Sequence, residues 1–338
     1  MNSLFEQAPR LGRLLERARG LPAIRVAVVG AEEVHVLEGV IQAHQAGLVE
    51  PVLVGPRAAI ARICREIGCD LGRYEVVEVE APDDAAAVSV QLVLDGRVEA
   101  LVKGWIHTDE LMHPVLAHLR TGQRVSHVFV TELQTYHKLL YVTDAAINIT
   151  PDLMTKAAIV QNAVDLARLL GVDRPRVAAL SAVEVVKPAI ASTLDAACLS
   201  KMAQRRQIHH AVVDGPLAFD NAISREAARI KQIDSEVSGE VDVLLVPDLN
   251  AGNILAKDLE YLARATMAGI VVGARVPIML PSRSDPPVAR LASAAIAVLM
   301  YHHRAAQEGG NPRLSTGADG APAVAPRKAA ETRAHNNN

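Results

Sequence analysis

Short apolar runs alternate along this chain with longer stretches in which apolar positions recur every three to four residues. The runs lie at 24–30 (IRVAVVG), 51–55 (PVLVG), 74–79 (YEVVEV), 99–104 (EALVKG), 126–132 (SHVFVTE) and 139–149 (LLYVTDAAINI). Others follow at 176–182 (RVAALSA), 209–216 (HHAVVDGP), 241–248 (VDVLLVPD) and 273–280 (GARVPIML). Their β-branched residues and turn-forming borders predict strands. Between most of them lie helical patterns rich in Ala and Leu, the longest at 152–171. Regular strand–helix alternation predicts an α/β fold with mainly parallel sheets. About ten strands is many for one such sheet, so two sheets with a cleft between them are expected. The first crossover falls at Thr150-Pro151-Asp152, where Pro151 stops a strand and Asp152 caps the next helix. The last helix runs from about Pro286 to His303, and the Gly-, Pro- and Ala-rich segment 305–338 is expected to be disordered.

Composition sharpens this picture. At 338 residues, two domains are the natural expectation. Half of the residues are apolar but only 3% are aromatic, so the core must be Ala, Val, Leu and Ile. That suits strands covered by helices on both faces. A net charge of −3 predicts no nucleic-acid partner, and an anionic ligand must be met by a local cluster. Cys64, Cys69 and Cys198 lack the spacing of a disulfide frame or zinc site, which points to reduced thiols in a cytoplasmic protein. No apolar run reaches the roughly 20 residues of a membrane helix, so no membrane association is expected. Leu11, Leu14 and Leu15 among arginines predict an amphipathic helix at the start. The histidines show no metal-binding spacing, and dinucleotide and P-loop motifs are absent, so no metal is expected.

Several polar clusters follow predicted strands, where open α/β sheets bind ligands. The sharpest is Ser282-Arg283-Ser284-Asp285-Pro286-Pro287 after VPIML. A strand–loop–helix start exposes free N–H groups, and the Arg283 guanidinium can grip an oxyanion at two points. Asp285 or Ser284 would cap the helix; a plain capped helix with an exposed arginine suits the same residues. Lys103-Gly104 ends a buried strand ahead of Thr108, where a lysine needs a cleft or an anion and the glycine allows close backbone approach. Asn250, Gly252 and Asn253 suit a polar ligand or an ordinary turn. Ser126, His127, Thr143 and Asp144 invite a serine-triad reading, but adjacent strand residues 126 and 127 point to opposite faces and no nucleophile elbow exists. Asp214 in Asp214-Gly215-Pro216 is a further candidate, either catalytic or part of a tight turn.

With these residues in hand, the chain resembles the phosphate acetyl/butyryltransferase family, and its butyryltransferase branch in particular. The resemblance is carried by LVKGWIHT (101–108), SHVFV (126–130), VTDAAINITPDLMTKAAIVQNAV (142–164), VAALSAVEVVKPAIASTLDAACLSKM (177–202), VDGPLAFDNAIS (213–224), PDLNAGNILAKDLEYLA (247–263) and GARVPIMLPSRSDP (273–286). It implies two three-layer α/β domains like those of isopropylmalate dehydrogenases, with the active site in the interdomain cleft. The last helix would return to the first domain, giving 1–149 plus 286–304 and 150–285 as the two units. It also implies a homodimer and no permanently bound cofactor. Acyl-CoA, acyl phosphate, CoA and inorganic phosphate would be the substrates of a reversible acyl transfer without a covalent acyl-enzyme. Ser282 and Arg283 take the places of the family's Ser-Arg pair. At the spacing of the acetyltransferase branch's basic Asp stands Ala289, which leaves Asp285 as the candidate base. Lys103, Gly104, Thr108, Ser126, Thr143, Asp144, Asp214, Asn250, Gly252 and Asn253 are the expected substrate-binding residues. The competing expectation is a non-catalytic, acyl-CoA-binding regulatory protein of the same fold.

Overall fold

The computed structural model describes residues 5–282 and 285–309. Arg283 and Ser284, central to the sequence argument, lie outside the described residues, as does most of the tail expected to be disordered.

Eleven strands form one sheet in the order β3-β2-β1-β4-β11-β10-β5-β6-β9-β7-β8. They are β1 (Ile24–Val29), β2 (Val49–Gly55), β3 (Glu75–Glu78), β4 (Ala100–Lys103), β5 (Ser126–Glu132) and β6 (Leu140–Thr143), followed by β7 (Arg176–Leu180), β8 (Val212–Leu217), β9 (Val243–Leu245), β10 (Thr266–Val272) and β11 (Ile278–Met279). One flank is parallel, with β1 pairing β2 and β4, β2 pairing β3, and β4 pairing β11. The other flank is parallel through β6, β9, β7 and β8. Between them β10 is antiparallel to both β11 and β5, and β5 is antiparallel to β6. The two parallel flanks therefore run in opposite directions and present their carboxyl ends at opposite edges of the sheet.

The sequence pattern anticipates every strand except β10. Its residues, TMAGIVV, are buried along nearly their whole length and carry no alternation. Gly269 interrupts the run and reads as a turn. In the structure that glycine leaves room for a neighbour: a Cβ there would lie 2.9 Å from Nε2 of His127. This overlooked strand joins what the pattern alone read as two sheets.

Helices cover both faces, namely α1 (Pro9–Arg19), α2 (Val34–Gln45), α3 (Arg57–Glu66), α4 (Pro82–Leu94), α5 (Thr108–His118), α6 (Leu153–Leu169), α7 (Ala191–Gln204), α8 (Phe219–Ile223), α9 (Arg225–Ile230), α10 (Leu249–Tyr261) and α11 (Pro287–Gln307). As expected, Asp152 caps α6, accepting the Thr155 N–H at 2.7 Å. Helix α11 runs past the expected end at His303. Its Ala292, Ala295, Ile296 and Val298 are fully buried because α1, α2, α6 and β10 surround it. Alanine lets these elements approach closely. The amphipathic α1 packs Leu11, Leu14, Leu15 and Ala18 inward at helical spacing. Buried Glu132, at the end of β5, accepts the N–H groups of Arg10 (3.0 Å) and Leu11 (2.8 Å), anchoring the positive end of that helix. Among the described residues no helix is long and apolar enough to cross a membrane.

Candidate active site

The carboxyl ends of β1, β4 and β11 meet at one edge of the sheet. There the backbones of Gly30 and Gly104 are pressed together: Gly104 N–H donates to Val29 O at 2.9 Å, and Trp105 N–H to Gly30 O at 2.7 Å. A Cβ on Gly104 would stand 2.1 Å from Gly30 O, so no side chain fits. The close approach expected of this glycine is what the fold requires. Beside it, Lys103 leaves the strand half-buried.

Chain β11 delivers Ser282 to the same place. Lys103, Gly104 and Ser282 line one cavity with Glu33 and Arg290, which the sequence argument did not single out. The cavity extends inward from an open mouth between α2 and α11. Glu33 caps α2, its carboxylate accepting the Val36 N–H at 2.8 Å. Arg290, one turn into α11, crosses α2 and donates to His35 O at 3.0 Å.

The turn before α11 departs from expectation. Its N-cap is Pro286, with no side-chain cap. Asp285, expected to cap the helix if Ser284 did not, instead folds back: Oδ2 accepts the Ser282 N–H at 2.8 Å, and Asp285 N–H donates to Ser282 O at 3.1 Å. Two successive prolines, at 286 and 287, leave the first turn with fewer N–H groups to cap, so the carboxylate closes the loop instead. Burial pushes the Asp285 carboxyl up to about 6. The Ser282 N–H bond opposes that rise, the Glu260 charge adds to it, and Lys257 and Arg290 oppose it.

Lys257 and Glu260 come from α10, and no signal beyond helical spacing marks them in the sequence. They form an ion pair at 2.7 Å. Burial alone would lower the Lys257 pKa, but Glu260, with the Tyr261 and Asp285 charges, makes the net shift upward. On the same face, four and seven residues before Lys257, stand Asn253 and Asn250. Asn253 reaches back to Ala145 O at 3.5 Å. A polar stripe therefore runs along α10 from the end of β6 to Asp285.

At the far end of that stripe lie the other predicted residues. Gly252 packs against the β6 turn, where a Cβ would be 2.8 Å from Asp144 O. Asp144 is buried, its two oxygens accepting the N–H groups of Ala146 (3.0 Å), Ile147 (3.0 Å) and Asn148 (3.2 Å) and the Asn148 amide (2.6 Å). Thr143 donates to His127 O at 2.7 Å. Ser126 accepts from the Asn162 amide at 2.8 Å. His127 points to the opposite face from Ser126, stacked edge-on against Phe129, and burial pulls it down to about 4 despite the Asp144 charge. The described residues thus hold no serine triad here. Thr108 opens α5. Asp214 lies within the edge strand β8, where its carboxylate accepts the Gly215 N–H at 2.8 Å, away from the Ser282 cavity lining.

Comparison with known proteins fits this arrangement. Residues 79–298 match the family model described as phosphate acetyl/butaryl transferase. A phosphate acetyltransferase of Rhizobium meliloti is 51% identical over 306 residues, covering 89% of this chain and 96% of that protein. A phosphate butyryltransferase of Clostridium beijerinckii is 39% identical over 290 residues, covering 85% and 96% respectively. The crystal structure of a branched-chain phosphotransacylase from Enterococcus faecalis V583 superposes with a TM-score of 0.72 at 31% identity, over 82% of this chain and 99% of that one. With most of its ordered length matched, in sequence and in three dimensions, the chain belongs to the phosphate acetyl/butaryl transferase family.

Proposed function

We propose that this protein is a phosphate acyltransferase. It moves a short acyl group, acetyl to butyryl, reversibly between coenzyme A and inorganic phosphate by direct attack. The observation that carries this reading is Ser282, its N–H held by the Asp285 carboxylate, lining one cavity with Lys103 at the carboxyl edge of β4 and β11. The names and identities of the relatives support it.

The chemistry follows from the residues. Phosphate and thioester must be held near contact distance in one pocket. Lys103 and Arg290 at the cavity mouth, with Arg283, next to Ser282 in sequence, supply positive charge for phosphate. A phosphate oxygen attacks the thioester carbon, and the hydroxyl of Ser282 stabilises the tetrahedral oxyanion. Asp285, raised towards neutrality, is matched to moving the thiol proton. Thr108, Asn250 and Asn253 are read as coenzyme contacts, and Gly104 and Gly252 as close-approach positions. Ser126, Thr143 and Asp144 are read as scaffold, because their hydrogen bonds are made within the protein. Asp214 is read as a support of its own edge strand.

Exposed apolar side chains at Ile149, Met154, Val185, Val186 and Ile254 support a homodimer, testable by analytical ultracentrifugation. The free thiols Cys64, Cys69 and Cys198 fit a reducing, cytoplasmic setting. The deciding assay is phosphate-dependent thiol release from acyl-CoA. Turnover with acyl phosphate as product is expected, and coenzyme binding without turnover would point instead to the regulatory reading.

A further inference from the structure

We propose that the slot between α2 and α11 receives the acyl chain of the thioester and sets its length. This rests on the acyl-transfer reading above. Among the partly exposed members of the cavity, Glu33, Lys103, Ser282 and Arg290 are polar, and with Val36 and Pro281 they form its mouth. The members that are buried, Val40, Ala43, Val102, Met279 and Ala294, are apolar and form its interior. Ser293 also lines the interior, but its hydroxyl donates to Ala289 O at 3.1 Å and is not offered to a ligand. A thioester whose carbonyl lies at Ser282 has a charged and polar side for phosphate. Its alkyl tail needs a dry, apolar volume directly adjoining, and the slot is that volume.

Lys103 pairs with Val29 at one end of β1, and Val49 with Ile24 at the other, so the lining residues are spread along most of that strand. One helical turn inward from the mouth stand Val40, after Val36, and Ala294, after Arg290. Both line the slot together with Val102 and Met279, and they decide how long a tail is accepted.

The test uses the full chain and compares kcat/KM for acetyl-, propionyl- and butyryl-CoA with phosphate. Ala294→Val narrows the slot and is expected to lower the butyryl-to-acetyl ratio about tenfold or more, within the usual range for one methylene. Val40→Ala widens it and is expected to raise the ratio about threefold or more. Should Ala294→Val fail to fold, Val40→Ala decides alone. Active variants whose ratios stay within twofold of the parent overturn the slot while leaving the acyl-transfer reading intact. A parent protein that turns over no acyl-CoA overturns both.

Discussion

The two ends of helix α10 meet polar environments of opposite character. At its start, the Asp144 cluster is buried and closed: four N–H donors saturate the carboxylate, and Ser126 and Thr143 are paired within the protein. At its end, Asp285 is half-buried, holds one backbone N–H, and sits between a like charge and two cations with its acidity shifted towards neutral pH. A saturated carboxylate orders a turn and has no capacity left for substrate. A carboxylate with a raised pKa, hydrogen-bonded to a residue that lines the cavity, can exchange a proton at working pH. Both were candidates by residue type; the surrounding hydrogen bonds separate scaffold from chemistry.

Each side of this contrast can be broken by substitution. The largest effect is expected at Asp285: Asp285→Asn should lower kcat by about 10²- to 10⁴-fold, as loss of a general base does. Steady-state kinetics at saturating acyl phosphate and CoA check this, and a loss below fivefold would remove Asp285 from the chemistry. Asp144→Ala should leave its donors orphaned and lower stability by about 3–4 kcal/mol, read from urea unfolding. A loss under 1 kcal/mol would contradict the closed-scaffold reading. Ser282→Ala should reduce kcat by about 10- to 150-fold with little change in KM, whereas a change confined to KM would reassign it to binding.

The smallest effects concern pH. With CoA thiol as nucleophile, kcat should rise through pH about 6 and level off above it, as Asp285 ionises. That limb should vanish in Asp285→Asn. The same raised pKa means the folded protein binds a proton more tightly than the unfolded chain between about pH 4 and 6, so Asp285 makes stability fall as pH rises through that window. Asp285→Asn should therefore gain on the order of 1–2 kcal/mol of stability at pH 7 while losing activity. A variant destabilised at pH 7 would show that the carboxylate is satisfied, like Asp144.

Much of the fold was legible because burial leaves its mark on short runs. Strand β5 was marked at its observed bounds, and Asp152 as a cap was plain from the Pro-Asp pair ahead of an apolar period. Strand β10 was not, because a fully buried strand with a central glycine lacks alternation, and the histidine that explains the glycine is about 140 residues away. In the site, Lys103, Gly104, Ser282 and Asp285 stood out at strand ends. Glu33, Lys257, Glu260 and Arg290 did not, because charged residues near helix ends ordinarily face water.

Sequence alone determined the α/β class, the strand ends that carry chemistry and the family, since each is written in local periodicity and in contiguous segments. Tertiary structure decided how the halves join, which carboxylate is saturated by hydrogen bonds and which has its pKa raised. Those outcomes depend on which groups the fold brings together: the His127 ring against Gly269, four donors around Asp144, and α10 laying Lys257 and Glu260 beside Asp285. A pKa or a strand partner belongs to a neighbourhood, and neighbours far apart in the chain leave no local trace in it.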